Sequence, residues 1–191
     1  MDVASGLLTA FGLAASAGLN AYIPLLIVAL LGRYTTWFTL NPPWDALTSW
    51  WVIGALAILT LIEFFADKAP AVNHANDAIQ TFVRPAAGAI LFAASAGAVS
   101  DIHPIVAMIA GLLVAGGVHT VKAAAVRPAV TMTTGGAGNI PVSIAEDVVA
   151  FFLSLAAIIL PIVVAALIIV ITSLFVWWLW RRANAMPRSS V

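Results

Sequence analysis

The stretch LIEFFADKAPAVNHANDAI, residues 61–79, begins as an apolar helix and then gathers Glu63, Asp67, Lys68, Asn73, His74 and Asp77. Glu63 and Asp67 are four apart and so share a helical face. In a continuing helix Asn73 and Asp77 share another face, with His74 three residues before Asp77. Carboxylate, amide and imidazole groups brought together suit a proton or a divalent cation. Glu63, Asp67, His74 and Asp77 are the candidate metal ligands. Glu63 lies within an apolar run, where a carboxylate is costly and usually faces a bundle interior or an aqueous cavity.

The second half of the chain is basic where the first is acidic. His119 and Lys122 are three apart, and Arg127 follows. TTGGAGN, residues 133–139, then leads through Asn139 into the next apolar run. A glycine-rich segment before a helix can bind an anion through its backbone N–H groups. Irregular backbone of this kind can also pack inside a bundle. Either reading places the segment near the centre of the protein. Plainer roles exist for several of these charges. Lys68 and Arg84 can anchor a membrane boundary, and Asp67 can tie two hairpins together through Lys122 or Arg127. Ser143 and Glu146 have the spacing of a capping box, with Asp147 in the first turn. Asn20 reads as a helix–helix hydrogen bond, and Asp101 and His103 as turn residues.

The elements that must position these groups are transmembrane helices. The chain has 191 residues, is 63% hydrophobic and only 8% charged, and has a mean hydropathy of +1.08. A soluble domain is about half apolar and about a quarter charged. Net charge is zero, and no basic stripe points to nucleic acid. The absence of cysteine excludes disulfides, thiolate metal sites and cysteine catalysis. Neither a zinc-protease motif nor a nucleophile elbow is present, so the expectation is a non-enzyme with no cofactor. The N-terminus lacks the basic region of a secretory signal, so the first helix is expected to be retained.

The expected fold is all-α, a polytopic bundle of about six spans in a single integral membrane domain. Apolar runs cover about 5–31, 50–66, 85–100 and 105–122. The last, about 142–180, is roughly twice the hydrocarbon core in length at about 1.5 Å per residue. Pro161, near its middle, reads as the turn between helices over about 143–160 and 162–181, with one long, kinked helix as the alternative. Six spans put Lys68, Arg84, Lys122, Arg127 and the RRANAMPR tail on one side, with both termini cytoplasmic.

AASAG occurs at 14–18 and 93–97, and KAPAV at 68–72 matches KAAAV at 122–126. Their order suggests two parallel hairpin repeats, about 5–84 and 85–129, followed by a distinct hairpin at about 142–182. Gly12, Ser16, Ala94 and Ala98 supply small residues four apart for close helix contact.

SAGLNAYIPLL, FFADKAPAVNHANDAI and GNIPVSIAEDVVA resemble the signatures of a bacterial family of small inner-membrane proteins described as a domain of unknown function. The resemblance covers nearly the whole chain and implies a helical bundle in the inner membrane. A fainter similarity is to manganese/calcium–proton exchangers, which carry Glu-x-Gly-Asp-Lys-Thr in each of two repeats. Here Glu63, Asp67 and Lys68 stand at a longer spacing, and the second repeat offers Gly117, His119 and Lys122 in place of acids.

The expected function is a small transporter or channel-like protein for a cation, with proton coupling. Its polar site lies between the hairpins, with Lys122 as an internal counter-charge. A scaffold or assembly factor locked by its charges is the alternative. The expected partners are the lipid bilayer and a small ion or solute, with no nucleic acid, and a homo-oligomer is compatible with this reading.

Overall fold

Asn20 decides the first part of the fold. The computed structural model describes residues 3–36, 38–68, 70–96 and 102–185, with the side chains of 70–75, 164–165, 179 and 183–185 outside that description. The apolar run expected as one helix over about 5–31 is two helices, α1 (Val3–Leu19) and α2 (Tyr22–Tyr34). The Asn20 Oδ1 accepts the backbone N–H groups of Tyr22 and Ile23, each at 3.0 Å. It thereby satisfies donors that a starting helix leaves without partners. Pro24 follows in the first turn of α2, where a missing N–H costs little.

The chain then continues through α3 (Trp50–Ala66), α4 (Pro70–Ala96), α5 (Pro104–Val121), α6 (Arg127–Thr134), α7 (Asn139–Ile159) and α8 (Pro161–Ala185). A π-helical turn, Lys122–Val126, fuses α5 and α6 into a single rod, Pro104–Thr134. The described residues are thus all-α, with seven rods. Four are long and apolar enough to cross a membrane: Asn76–Ala96, Pro104–Thr134, Asn139–Ile159 and Pro161–Arg182. The shorter apolar rods are α1, α2 and α3, of 17, 13 and 17 residues. The α8 span buries none of its window inside the protein, as suits a helix solvated by lipid.

Side-chain contacts give each rod its direction. Thr9 donates to Ala157 O, Ser16 to Ala150 O and Asn20 to Asp147, so α1 runs antiparallel to α7. The α2 helix leaves the level of Asp147 and ends where Arg33 stacks over the Trp50 ring. From Trp50, α3 returns to the level of Asp147, which Lys68 meets just past its end. Arg84 and Thr81 of α4 meet His119 of α5, while Gly88 meets Gly111, so α4 and α5 are antiparallel. The single residue Leu160 separates α7 from α8. Val142 and Glu146 share a groove with Ile171 and Phe175, so those two helices form the hairpin that Pro161 predicts.

These directions correct two expectations. Seven rods of alternating direction put the start of α1 and the end of α8 at opposite ends of the bundle, in place of the expected arrangement with both ends on one side, and four rods rather than six are long and apolar enough to cross a membrane. The missing reversal is the one at Asn20, which a run of apolar residues hides. Nor do the AASAG copies mark parallel repeats. The α1 helix lies parallel to α5, since Gly18 packs on Ala115 and Val118 and Leu19 meets Lys122. It is therefore antiparallel to α4, which carries the second copy. The proposed boundary at residues 84 and 85 falls inside α4, which continues through Pro85. KAPAV straddles the α3–α4 junction, whereas KAAAV is the π-helical turn.

Small residues set the tightest contact. The α4 and α5 helices cross at Gly88 and Gly111, where backbone meets backbone. Ser16 and Ala94 are buried as expected, and Ala98 lies outside the described residues.

Candidate functional site

Three rod ends and two rod middles converge near the Asn20 end of the bundle and bring charge together. From α3 come Glu63 and, one residue past the helix, Asp67; both are almost wholly buried. The α4 helix contributes Asn76, Gln80 and Arg84, and Arg84 has no exposed surface at all. The rod containing α5 contributes His119, Lys122 and Arg127. Ser143, Glu146 and Asp147 come from α7.

The contacts form one continuous ionic network. Arg84 Nη2 donates to Glu63 Oε1 at 2.9 Å and stands 3.9 Å from Asp67 Oδ2. Arg127 Nη2 bridges Asp67 Oδ2 at 3.3 Å and Glu146 Oε2 at 3.2 Å. Lys122 Nζ donates to Glu146 Oε2 at 2.8 Å and to the Leu19 carbonyl at 3.0 Å. Asp67 also accepts from Asn76 Nδ2 at 2.6 Å and Ser143 Oγ at 3.2 Å. A second, shallower link joins Lys68 Nζ to Asp147 Oδ2 at 3.2 Å, and Asp147 also accepts from Asn20.

His119 is held as a neutral ring. A guanidinium can only donate, so Arg84 Nη1, at 3.2 Å, makes His119 Nδ1 the acceptor. The ring proton is then on Nε2 and points to Thr81 Oγ1 at 3.2 Å, whose own hydroxyl donates to Asp77 O. His119 thus orients Arg84 and is not a free ligand.

Of the residues singled out from sequence, Glu63, Asp67, Lys68, His119, Lys122 and Arg127 are brought together. Asp77 stands beside the network and lines a pocket of about 380 Å³ with Arg127, Thr131 and Asn139. Asn139 exchanges hydrogen bonds with Thr131 and ties α6 to α7. The side chains of Asn73 and His74 lie outside the described residues, as does Asp101. No group of three His, Asp or Glu able to hold a metal ion occurs among the described residues.

The glycine segment is not at the centre. Gly135, at φ +62°, and Gly136, at φ +93°, end α6 in left-handed backbone and turn the chain into α7. That conformation favours glycine. Residues 133–135 are exposed, so an end turn replaces the central segment that both readings expected.

Sequence reasoning missed Arg84, Glu146, Asp147, Ser143 and Asn76 as members of the network. The capping-box spacing of Ser143 and Glu146 is misleading because α7 begins a turn earlier, at Asn139. Both residues therefore face inward from the helix body. The signal that could have found them was the four-residue spacing of Asn139, Ser143 and Asp147 along an otherwise apolar helix.

The charges set how the fold responds to acid. Burial alone would raise the Asp67 pKa. The cations of Lys122, Arg84 and Arg127, helped by the Asn76 amide, outweigh it and hold the carboxyl below its ordinary value. A depressed folded pKa contributes stability above the unfolded pKa, and that contribution disappears as pH falls through the folded value. Wild type is therefore expected to lose thermal stability as pH falls below the ordinary carboxylate range, and Asp67→Asn to show a flatter profile there. Melting followed by far-ultraviolet circular dichroism across that range checks this; parallel profiles would show that Asp67 is not the titrating group.

A family model described as "Domain of unknown function (DUF4126)" matches residues 7–182. No curated protein and no solved structure matches the chain.

Proposed function

This chain belongs to the DUF4126 family, and we propose from the geometry of its buried network that it is a small transporter or channel-like protein for a monovalent cation, coupled to protons. The observation that carries this reading is the place of the Lys122 ammonium. It sits on the Leu19 carbonyl, at the C-terminal end of a helix that breaks at Asn20, and on the Glu146 carboxylate. Helix breaks whose carbonyl ends face a buried site are where secondary transporters coordinate cations, and the helix dipole adds negative potential there. Lys122 occupies these ligands as a tethered cation. It can yield them to an arriving ion by swinging away on its π-helical turn, a feature common at functional sites.

Access supports the same reading. The pocket lined by Asp77, Thr131 and Asn139 reaches Arg127, which holds both Asp67 and Glu146. The Asn20 end also holds Lys68, Lys122 and Arg127, and α8 delivers Arg181 and Arg182 to it; Arg33 lies at the other end. The positive-inside rule makes the Asn20 end cytoplasmic, with the start of α1 outside and the membrane an inner, cytoplasmic one.

One observation favours a second reading. Four carboxylates face four cations, and each has an ionic partner: Glu63, Asp67, Glu146 and Asp147 with Arg84, Arg127, Lys122 and Lys68. A balanced network can serve as the lock of a non-transporting scaffold. Flux into vesicles reconstituted with the protein decides between them, using a pH-sensitive dye inside and imposed gradients of sodium or potassium. Transport predicts cation-dependent flux above that of empty vesicles, abolished in Glu146→Gln and altered in Lys122→Arg. Wild-type flux equal to that of empty vesicles for every cation tried would leave the scaffold.

A further inference from the structure

Among the described residues, Glu63 Oε2, Gln80 Oε1 and Arg84 Nε are buried without a hydrogen-bond partner. Their side chains are each at least 99% buried, with exposures of 1%, 1% and 0%. Unsatisfied buried polar groups are rare and costly, and these are neighbours. Glu63 Oε1 takes Arg84 Nη2 at 2.9 Å, which leaves the other oxygen of the same carboxylate over. Gln80 is one turn before Arg84 on α4 and so on the same face. Its amide meets the Tyr22 hydroxyl of α2, and Tyr22 also feels the charges of Glu63 and Arg84. Glu63 Oε2 and Gln80 Oε1 are both acceptors, and neither has a donor.

We propose that Glu63, Gln80 and Arg84 form a buried proton-binding site in which Glu63 Oε2 takes up one proton and donates the resulting O–H to Gln80 Oε1. One O–H bond forms and no other bond changes. Arg84 keeps its hydrogen bond to Glu63 Oε1, and the Glu63–Arg84 pair goes from neutral to singly positive. Among the described residues, four groups face Glu63. They are Arg84 from α4, Asp67 past the end of α3, Lys122 from the π-helical turn and Tyr22 from α2. His119 of α5 stands behind Arg84 and is held neutral by it. Asp67 already has Arg127, Asn76 and Ser143, so the carboxylate with a lone oxygen is Glu63. The site is separate from the Lys122–Glu146 pair and stands whether or not ions cross the membrane.

Infrared difference spectra of the full chain in lipid nanodiscs, recorded through a pH titration in light and heavy water, test it. The expected result is one protonated-carboxyl C=O band that grows as pH falls and is absent from Glu63→Gln. In Gln80→Leu the same band is expected at higher frequency, because the O–H has lost its acceptor. Gln80→Leu leaves every charge in place, so its band remains readable if Glu63→Gln does not fold. Folded wild type without such a band overturns the proposal. So does a band that persists in folded Glu63→Gln or is unmoved in Gln80→Leu. A band lost in Asp67→Asn but kept in Glu63→Gln would assign the proton to the wrong carboxylate and overturn it equally.

Discussion

Arg84→Met is expected to destabilise the protein by about 3–5 kcal/mol, the cost of stripping one partner from a buried ion pair. Glu63 would keep its charge without its cation, and His119 Nδ1 would lose its donor. The expense comes from desolvation: neither Glu63 nor Arg84 can turn to water, since neither has appreciable exposure. The double variant Glu63→Gln, Arg84→Met is expected to recover much of the loss, because a neutral amide no longer carries an uncompensated charge into the interior. Unfolding in a denaturing-detergent titration, read by helical content, measures both. A loss below about 1 kcal/mol, the range of exposed ion pairs, would mean that water reaches Arg84 and that the network is not sealed.

Gly88→Val is expected to cost about 3 kcal/mol, the upper end of the range for overpacking. A Cβ at Gly88 would fall 2.7 Å from the Gly111 carbonyl oxygen and closer still to the Ala115 Cβ. The obstacle is backbone on a facing helix, so no rotamer change relieves it. Separating α4 from α5 would also pull Arg84 from His119. The loss should therefore appear in the unfolding midpoint. Gly54, with nothing within 4 Å of the same added atom, is the control, and Gly54→Ala is expected to behave as wild type. Equal behaviour of Gly88→Val and Gly54→Ala would show that the crossing is looser than its geometry.

What the sequence determined by itself was element type. Long apolar runs with so few charges read as helices, and four of the helices are long and apolar enough to cross a membrane, where backbone groups must be satisfied internally. The α7–α8 hairpin was legible because Pro161 divides a run too long for one span. Glu63 was legible as buried because a carboxylate in an apolar run has few other places to go. Asp67 facing Arg127 was legible as a pairing of opposite charges.

Tertiary structure decided which way the rods point and which charges meet. The reversal at Asn20 depends on one side chain capping two backbone N–H groups and reaching Asp147 on α7. Hydropathy averages over such a residue and sees one helix. The parallel repeat failed for a related reason: alanine-rich helices match one another in letters, while direction is set by turns. Ser143 and Glu146 look like a cap until the start of α7 is known, one turn earlier. Arg84 looks like a boundary anchor until α3 and α5 are packed against α4. Ion pairs between residues 17 to 79 positions apart are fixed by rod packing and leave no local pattern. Sequence therefore named Glu63 as a charge that must be buried, and only the bundle could say that Arg84 joins it and that Lys122 rests on the end of a broken helix.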